Sequence, residues 1–130
     1  MGTPSLRILV VDDEESIRRG LQAYLEDDGF EVITAESGEE GIEALKRRAA
    51  DGAIVDIRLP GMDGGEFMER AHTLCPEMQF LIHTGSVGYR PASSLEAIGV
   101  TEARVFQKPV KDISVLAAAL RKLLKDGGDP

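Results

Sequence analysis

The sequence predicts an α/β domain built on an open parallel sheet covered on both faces. Two observations carry this. Short apolar runs alternate with amphipathic stretches, the pattern of successive βαβ units, and five such units fit the chain. Four of the runs also end on chemically competent polar residues, in Val10-Val11-Asp12-Asp13, Val55-Asp56-Ile57, His83-Thr84-Gly85 and Gln107-Lys108-Pro109. An open parallel sheet places its ligand crevice beyond the carboxyl ends of its strands. Three carboxylates, one hydroxyl and one ammonium are therefore expected in a single pocket.

The elements follow in order. Leu6 to Val11 reads as the first strand, and Ile17, Leu21, Tyr24 and Leu25 then recur at helical spacing until Asp28-Gly29 ends the run. A short second strand, Glu31 to Ala35, leads to Ser37, which with Glu40 forms a capping-box pattern before Ile42, Leu45 and Ala49. The third strand, Ala53 to Ile57, is nearly all apolar and β-branched, as a strand covered on both faces requires. Leu59-Pro60-Gly61-Met62-Asp63-Gly64-Gly65 carries turn chemistry at almost every position, so the chain must leave the sheet sharply. Phe67, Met68, Ala71 and Leu74 mark the third helix, and Gln79 to His83 the fourth strand. The segment Gly85 to Ser94 is the least regular, with a short helix expected around Leu95 to Ile98. The fifth strand, Arg104 to Gln107, precedes a closing helix whose apolar stripe is Ile113, Leu116, Leu120, Leu123 and Leu124. Residues 127–130 read as a disordered tail or the start of a linker.

The 130 residues suit one domain with a real core. A net charge of -8 argues against direct nucleic-acid binding, which needs a clustered basic face. No window approaches a membrane span or a secretion signal, so no membrane partner and a cytoplasmic location are expected. The single cysteine, Cys75, has no partner for a disulfide or a metal cluster and reads as a small buried hydrophobe near a helix end.

The pocket has its own physics. Two carboxylates about 4 Å apart repel by roughly 1 kcal/mol in water and about 4 kcal/mol in a partly buried site, so three need a counter-charge. Lys108 and a bound cation can supply it. Oxygen-only ligation favours Mg²⁺ or Mn²⁺ over zinc, and such an ion bridges readily to phosphate. With Asp12 and Asp13 neutralised, Asp56 becomes a carboxylate able to attack phosphorus, Thr84 a donor to a phosphoryl oxygen, and Lys108 its ion pair.

Val10-Val11-Asp12-Asp13-Glu14, Val55 through Gly64, Thr84-Gly85 and Lys108-Pro109 occur in an order and placement that resembles the receiver domain of two-component response regulators over essentially the full chain. The resemblance implies a CheY-like receiver over residues 5–126. Its fold would be a flavodoxin-like, doubly wound, three-layer α/β/α arrangement, with five helices around a five-stranded sheet in the order 2-1-3-4-5. It implies that Asp56 accepts a phosphoryl group from a sensor histidine kinase, a phosphotransfer protein or a small donor such as acetyl phosphate. Mg²⁺ would be held by Asp12, Asp13, Asp56 and the main-chain carbonyl of Arg58, and the peptide before Pro109 would be cis. Such a domain is a signalling phosphoacceptor that assists its own phosphorylation and dephosphorylation, not an ordinary enzyme. Its output is a switched face of helix four, strand five and helix five, which engages a downstream protein, a fused output domain or a second copy in a phosphorylation-dependent homodimer.

Two departures stand out. Three residues before the lysine the family commonly has Phe or Tyr; here Val105 holds that place and Phe106 follows. Strand alternation turns Phe106 to the opposite face, whereas a one-residue bulge would restore it as the switch. Pro91 should shorten or delay helix four, and the common Gly-Ala before strand five is missing. Gly85, and Arg58 and Ser86 two residues beyond Asp56 and Thr84, are tuning positions. An Arg58 that reaches the phosphate and a Ser86 that offers little acid-base help predict a long-lived phospho-form.

Blander assignments exist for each residue. A lone Asp12 is usually a turn or cap residue, Thr84 a satisfied turn hydroxyl, and His83, pointing away from Thr84, a packed or surface histidine. The acidic run Glu36 to Glu43 reads as a solvated helix face. Two other functions share the fold: a non-phosphorylated interaction domain, which would be expected to have lost part of the charged set, and a Mg²⁺-dependent aspartyl-phosphate phosphatase, which would carry a carboxylate where Arg58 stands. A flavin site is disfavoured because Asp12-Asp13-Glu14 would repel a phosphate.

Overall fold

The computed structural model describes residues 5–126; the tail predicted at 127–130 lies outside them. Five strands, β1 (Arg7–Val11), β2 (Glu31–Ala35), β3 (Gly52–Val55), β4 (Gln79–Thr84) and β5 (Val105–Gln107), form one sheet in the order β2-β1-β3-β4-β5. Every pairing is parallel. Helices α1 (Glu15–Asp27), α2 (Gly38–Arg47), α3 (Gly64–Leu74), α4 (Ser93–Glu96) and α5 (Ser114–Asp126) complete the doubly wound fold.

Alternation along the strands builds two cores. Leu9 and Val11 of β1, Ala53 and Val55 of β3, and Phe80 and Ile82 of β4 face Ile42, Leu45, Phe67, Met68 and Ala71 on α2 and α3. Ile8, Val10, Ile54 and Leu81 face the opposite way, onto Leu21 and Leu25 of α1 and Leu116 and Leu120 of α5. Each such side chain contributes roughly 1.5–3 kcal/mol when fully buried, so a one-residue register slip in a central strand would be prohibitive.

Local chemistry sets the helix ends. Ser37 Oγ accepts the Glu40 N–H (3.1 Å) as predicted, while Glu40 reaches back one residue further than the usual box, to the Glu36 N–H (2.9 Å). Asp63 caps α3 by accepting the Glu66 N–H at 2.8 Å. Backbone at Arg48 turns extended (φ −160°), so Ala49 lies outside α2 and exposed, and Ala50 is the buried residue. Leu74 and Tyr24, expected on apolar stripes, are also exposed. Helix α4 starts two residues earlier than expected, directly after Pro91-Ala92, and stops within one turn. Arg104 belongs to a 3₁₀ turn (Glu102–Arg104) rather than to β5. Cys75 is buried at the end of α3, as expected.

The β3–α3 turn is the tightest place in the fold. Gly64 donates its N–H to the Ile57 carbonyl (2.9 Å), and a Cβ there would sit 2.2 Å from the Asp56 carbonyl oxygen and 2.8 Å from the Ile57 Cα. Only glycine lets the start of α3 close against Asp56 and Ile57, the residues that follow β3. Gly64→Ala should cost about 3 kcal/mol in urea denaturation. Gly20→Ala, in the interior of α1 where a Cβ meets nothing within 4 Å, should instead stabilise by about 1 kcal/mol.

Candidate functional site

The parallel ladders run one residue beyond the strands and carry the polar residues with them. The Asp12 N–H donates to the Ala35 carbonyl (3.1 Å), the Asp56 N–H to the Val11 carbonyl (2.9 Å) and the Lys108 N–H to the Thr84 carbonyl (2.8 Å). Three polar residues from three chain segments are thus fixed by sheet geometry. They meet at an open cavity of about 360 Å³ lined by Asp13, Glu14, Asp56, Arg58, Thr84, Gly85, Ser86 and Lys108. Asp12 is buried beneath it at 1% exposure.

Lys108 Nζ lies 2.8 Å from Asp12, 3.0 Å from Asp56 and 3.0 Å from Glu14. Burial alone would lower its pKa, but the hydrogen bonds to Asp12, Asp56 and Glu14 outweigh that and hold the ammonium above the usual lysine value. Burial pushes the Asp12 carboxyl up, with the Lys108 and Glu14 hydrogen bonds opposing it in part. One carboxylate oxygen from each of Asp12, Asp13, Glu14 and Asp56 lies within 4.8 Å of the others, an all-oxygen donor set suited to a hard divalent cation. The Lys108–Pro109 peptide is cis.

Asp12 and Thr84 serve two ends at once. Asp12 Oδ1 accepts the Glu14 N–H (2.9 Å), the turn role expected of a lone aspartate, while Oδ2 takes the lysine. Arg18 Nη1 donates to the Asp12 carbonyl at 2.7 Å and fixes the same turn from α1. Thr84 Oγ1 accepts the Ser86 N–H (3.1 Å), a satisfied turn hydroxyl at the wall of the cavity.

The register answers the question left open at strand five. Ile82 pairs with Val105, His83 with Phe106 and Thr84 with Gln107, without a bulge. Val105 packs on the core that contains Ile82, and Phe106 on the core that contains Leu81. The position three residues before Lys108, on the Thr84 face, belongs to Val105.

Sequence reasoning missed two side-chain contacts, whereas His83 is the packed histidine it expected. Glu14, quoted only within the Val10-Val11-Asp12-Asp13-Glu14 motif, enters the cavity and binds Lys108. Its place beside two other carboxylates was the available clue. Glu39, on what read as a purely solvated face, accepts the Met62 N–H (3.1 Å) and tethers the loop after Asp56. Among the described residues His83 is buried (4% exposed) with neither ring nitrogen hydrogen-bonded. Burial, reinforced by the Lys108 charge and opposed by Asp56 and Glu14, lowers its pKa to about 4.

The neutral His83 ring is therefore the form the fold accepts. Its contribution is complete above the ordinary value of about 6.5 and is lost as pH falls toward 4, up to roughly 3 kcal/mol. Chemical denaturation from pH 7 to pH 4 should show His83→Leu losing that much less stability than the wild type; parallel curves would contradict this.

The family model described as response regulator receiver domain matches residues 8–121. A protein-glutamate methylesterase/protein-glutamine glutaminase of Natronomonas pharaonis is 31% identical over 116 residues, 88% of this chain and 32% of that protein. The transcriptional regulatory protein GlrR of Escherichia coli K12 is 34% identical over 79% of this chain and 23% of its own length. The chain thus spans a third or less of these curated relatives. Among solved structures, a CheY-like response regulator receiver domain protein of Methanospirillum hungatei has a TM-score of 0.85 at 30% identity, covering 95% of this chain and 96% of that one. CheY4 of Vibrio cholerae has a TM-score of 0.80 at 27% identity, over 92% and 98%.

Proposed function

The chain belongs to the response regulator receiver domain family of two-component systems, and on that premise we propose that Asp56 is its phosphoacceptor. The observation that carries the reading is the Asp56 carboxylate, 3.0 Å from the Lys108 ammonium in an open cavity that Thr84 also lines. An Asp56 oxygen attacks the phosphorus of a phosphohistidine on a sensor kinase or phosphotransfer protein, or of a small acyl phosphate. The O–P bond forms as the donor's P–N or P–O bond breaks, and the electron pair leaves on the donor. Lys108 pairs with one phosphoryl oxygen, and the Thr84 hydroxyl donates to another.

Asp12, Asp13, Asp56 and the Arg58 carbonyl would hold Mg²⁺, with Mn²⁺ a substitute, and the ion would offset the negative charge of donor and carboxylates. The carboxylate set fits that ion, and Lys108 is the counter-charge already present. Without that positive charge the approach of a phosphate would meet like-charge repulsion of several kcal/mol. The acceptor then biases the surface formed by α4, β5 and α5 toward a downstream protein, a fused output domain or a second copy. The setting is the cytoplasm; among the described residues no helix is long and apolar enough to cross a membrane. Arg58 and Ser86 line the cavity where hydrolytic water must enter, and neither is a carboxylate that could activate it. The phospho-form should be long-lived.

Incubation with acetyl phosphate and Mg²⁺, followed by intact mass spectrometry, should add one phosphate to the wild type and none to Asp56→Ala, and EDTA should abolish the gain. After donor removal the adduct should persist for minutes or longer. Loss within seconds would contradict the roles given to Arg58 and Ser86, and gain in both proteins would contradict the acceptor.

A further inference from the structure

Thr84 belongs to the cavity and, at the same time, to the loop that follows it. Its Oγ1 accepts the Ser86 N–H (3.1 Å), and the Ser86 carbonyl accepts the Tyr89 N–H (3.4 Å). A hydrogen-bonded chain thus runs from the pocket wall to the main-chain N–H of Tyr89, which carries an aromatic ring. That ring is half-buried against the core that contains Ile82 and Val100, and it lines a groove of about 410 Å³ with Ile57, Asp63 and Leu95. Ile57 directly follows Asp56, and Asp63 is the cap of α3. Burial and the nearby Asp63 raise the Tyr89 hydroxyl above its ordinary pKa, which keeps it neutral.

The loop from Gly85 to Gly88 is unhindered at both its glycines. Gly85 and Gly88 bracket it, a Cβ at either would meet nothing within 4 Å, and Gly88 has φ +75°. Gly88 answers a backbone need rather than a packing one. The β5 position on the Thr84 face offers only Val105, because Phe106 packs on the other side of the sheet.

We propose that the state of Asp56 is read out through Tyr89, by way of the Thr84 hydroxyl and the Gly85–Gly88 loop, and not through a ring on β5. The proposal rests on the phosphoacceptor reading of Asp56. The Thr84 hydroxyl can donate to a phosphoryl oxygen on Asp56 while it still accepts the Ser86 N–H, so drawing it toward the phosphate draws Ser86 with it and, through the Ser86 carbonyl, the Tyr89 main chain. That pull shifts the loop, and the half-exposed Tyr89 ring gains by sinking into the apolar wall of Ile57 and Leu95. Tyr89 becomes less accessible to solvent when Asp56 is phosphorylated.

The chain has two tyrosines and no tryptophan, so Tyr24→Phe, at an exposed α1 position, leaves Tyr89 as the sole emitter. This protein and Tyr24→Phe/Thr84→Ala are treated with acetyl phosphate and Mg²⁺. Intact mass fixes the phosphorylated fraction of each sample, and acrylamide, a neutral quencher, then probes the emission. We expect phosphorylated Tyr24→Phe to lose much of its acrylamide quenching, and the phosphorylated Thr84→Ala form to keep it. Unchanged or increased quenching in a phosphorylated sample, or the same loss without the Thr84 hydroxyl, overturns the readout and leaves the acceptor intact. Absence of any mass gain in Tyr24→Phe overturns the acceptor reading, and this inference with it.

Discussion

One ammonium group organises the functional end of this molecule. Lys108 Nζ stands within 3.0 Å of three carboxylates on chain segments far apart in sequence: Asp12 and Glu14 after β1, and Asp56 after β3. Without it, the buried Asp12 and Asp56 would face each other with no counter-charge, at a cost of several kcal/mol. The arrangement depends in turn on the parallel ladders extending one residue past Val11, Val55 and Gln107. Strand register is therefore the primary constraint. It is set by apolar packing on both faces of the sheet, far from any of the charges it positions.

Residues at this end serve structure and chemistry together. Asp12 shapes the turn into α1 and binds the lysine; Thr84 closes the turn after β4 and lines the cavity. The bland and the functional assignments were never true alternatives for these two. His83 is the opposite case, a buried ring with no hydrogen-bond partner among the described residues, which weakens the fold in acid and does not itself line the cavity. Stability yields where β4 enters the site, a common trade in functional regions.

Much of this was legible in the sequence, because periodicity and strand-end chemistry are local signals. The five strands, the Ser37 cap and the convergence of Asp12, Asp13, Asp56, Thr84 and Lys108 followed from runs of a few residues each. What was illegible depends on partners distant in sequence. Glu39 grips the Met62 N–H from α2, Arg18 grips the Asp12 carbonyl from α1, and neither contact leaves a mark on residue spacing. Ala49 misread because the chain has already turned away at Arg48, and Leu74, the last residue of α3, lies off the buried face shared by Phe67, Ala71 and Cys75. The choice between Val105 and Phe106 needed the β4–β5 register, a pairing that no one-dimensional pattern specifies.

The central claim is that these strand ends make Asp56, among four neighbouring carboxylates, the one that takes the phosphoryl group. Borohydride reduces an aspartyl phosphate to homoserine, so reduction after treatment with acetyl phosphate and Mg²⁺, followed by peptide mass mapping, identifies the acceptor directly. The account predicts homoserine at position 56, none at positions 12 and 13, and no 5-hydroxynorvaline, the alcohol a glutamyl phosphate would give, at position 14. Either alcohol at one of those three, with position 56 unmodified, would contradict it.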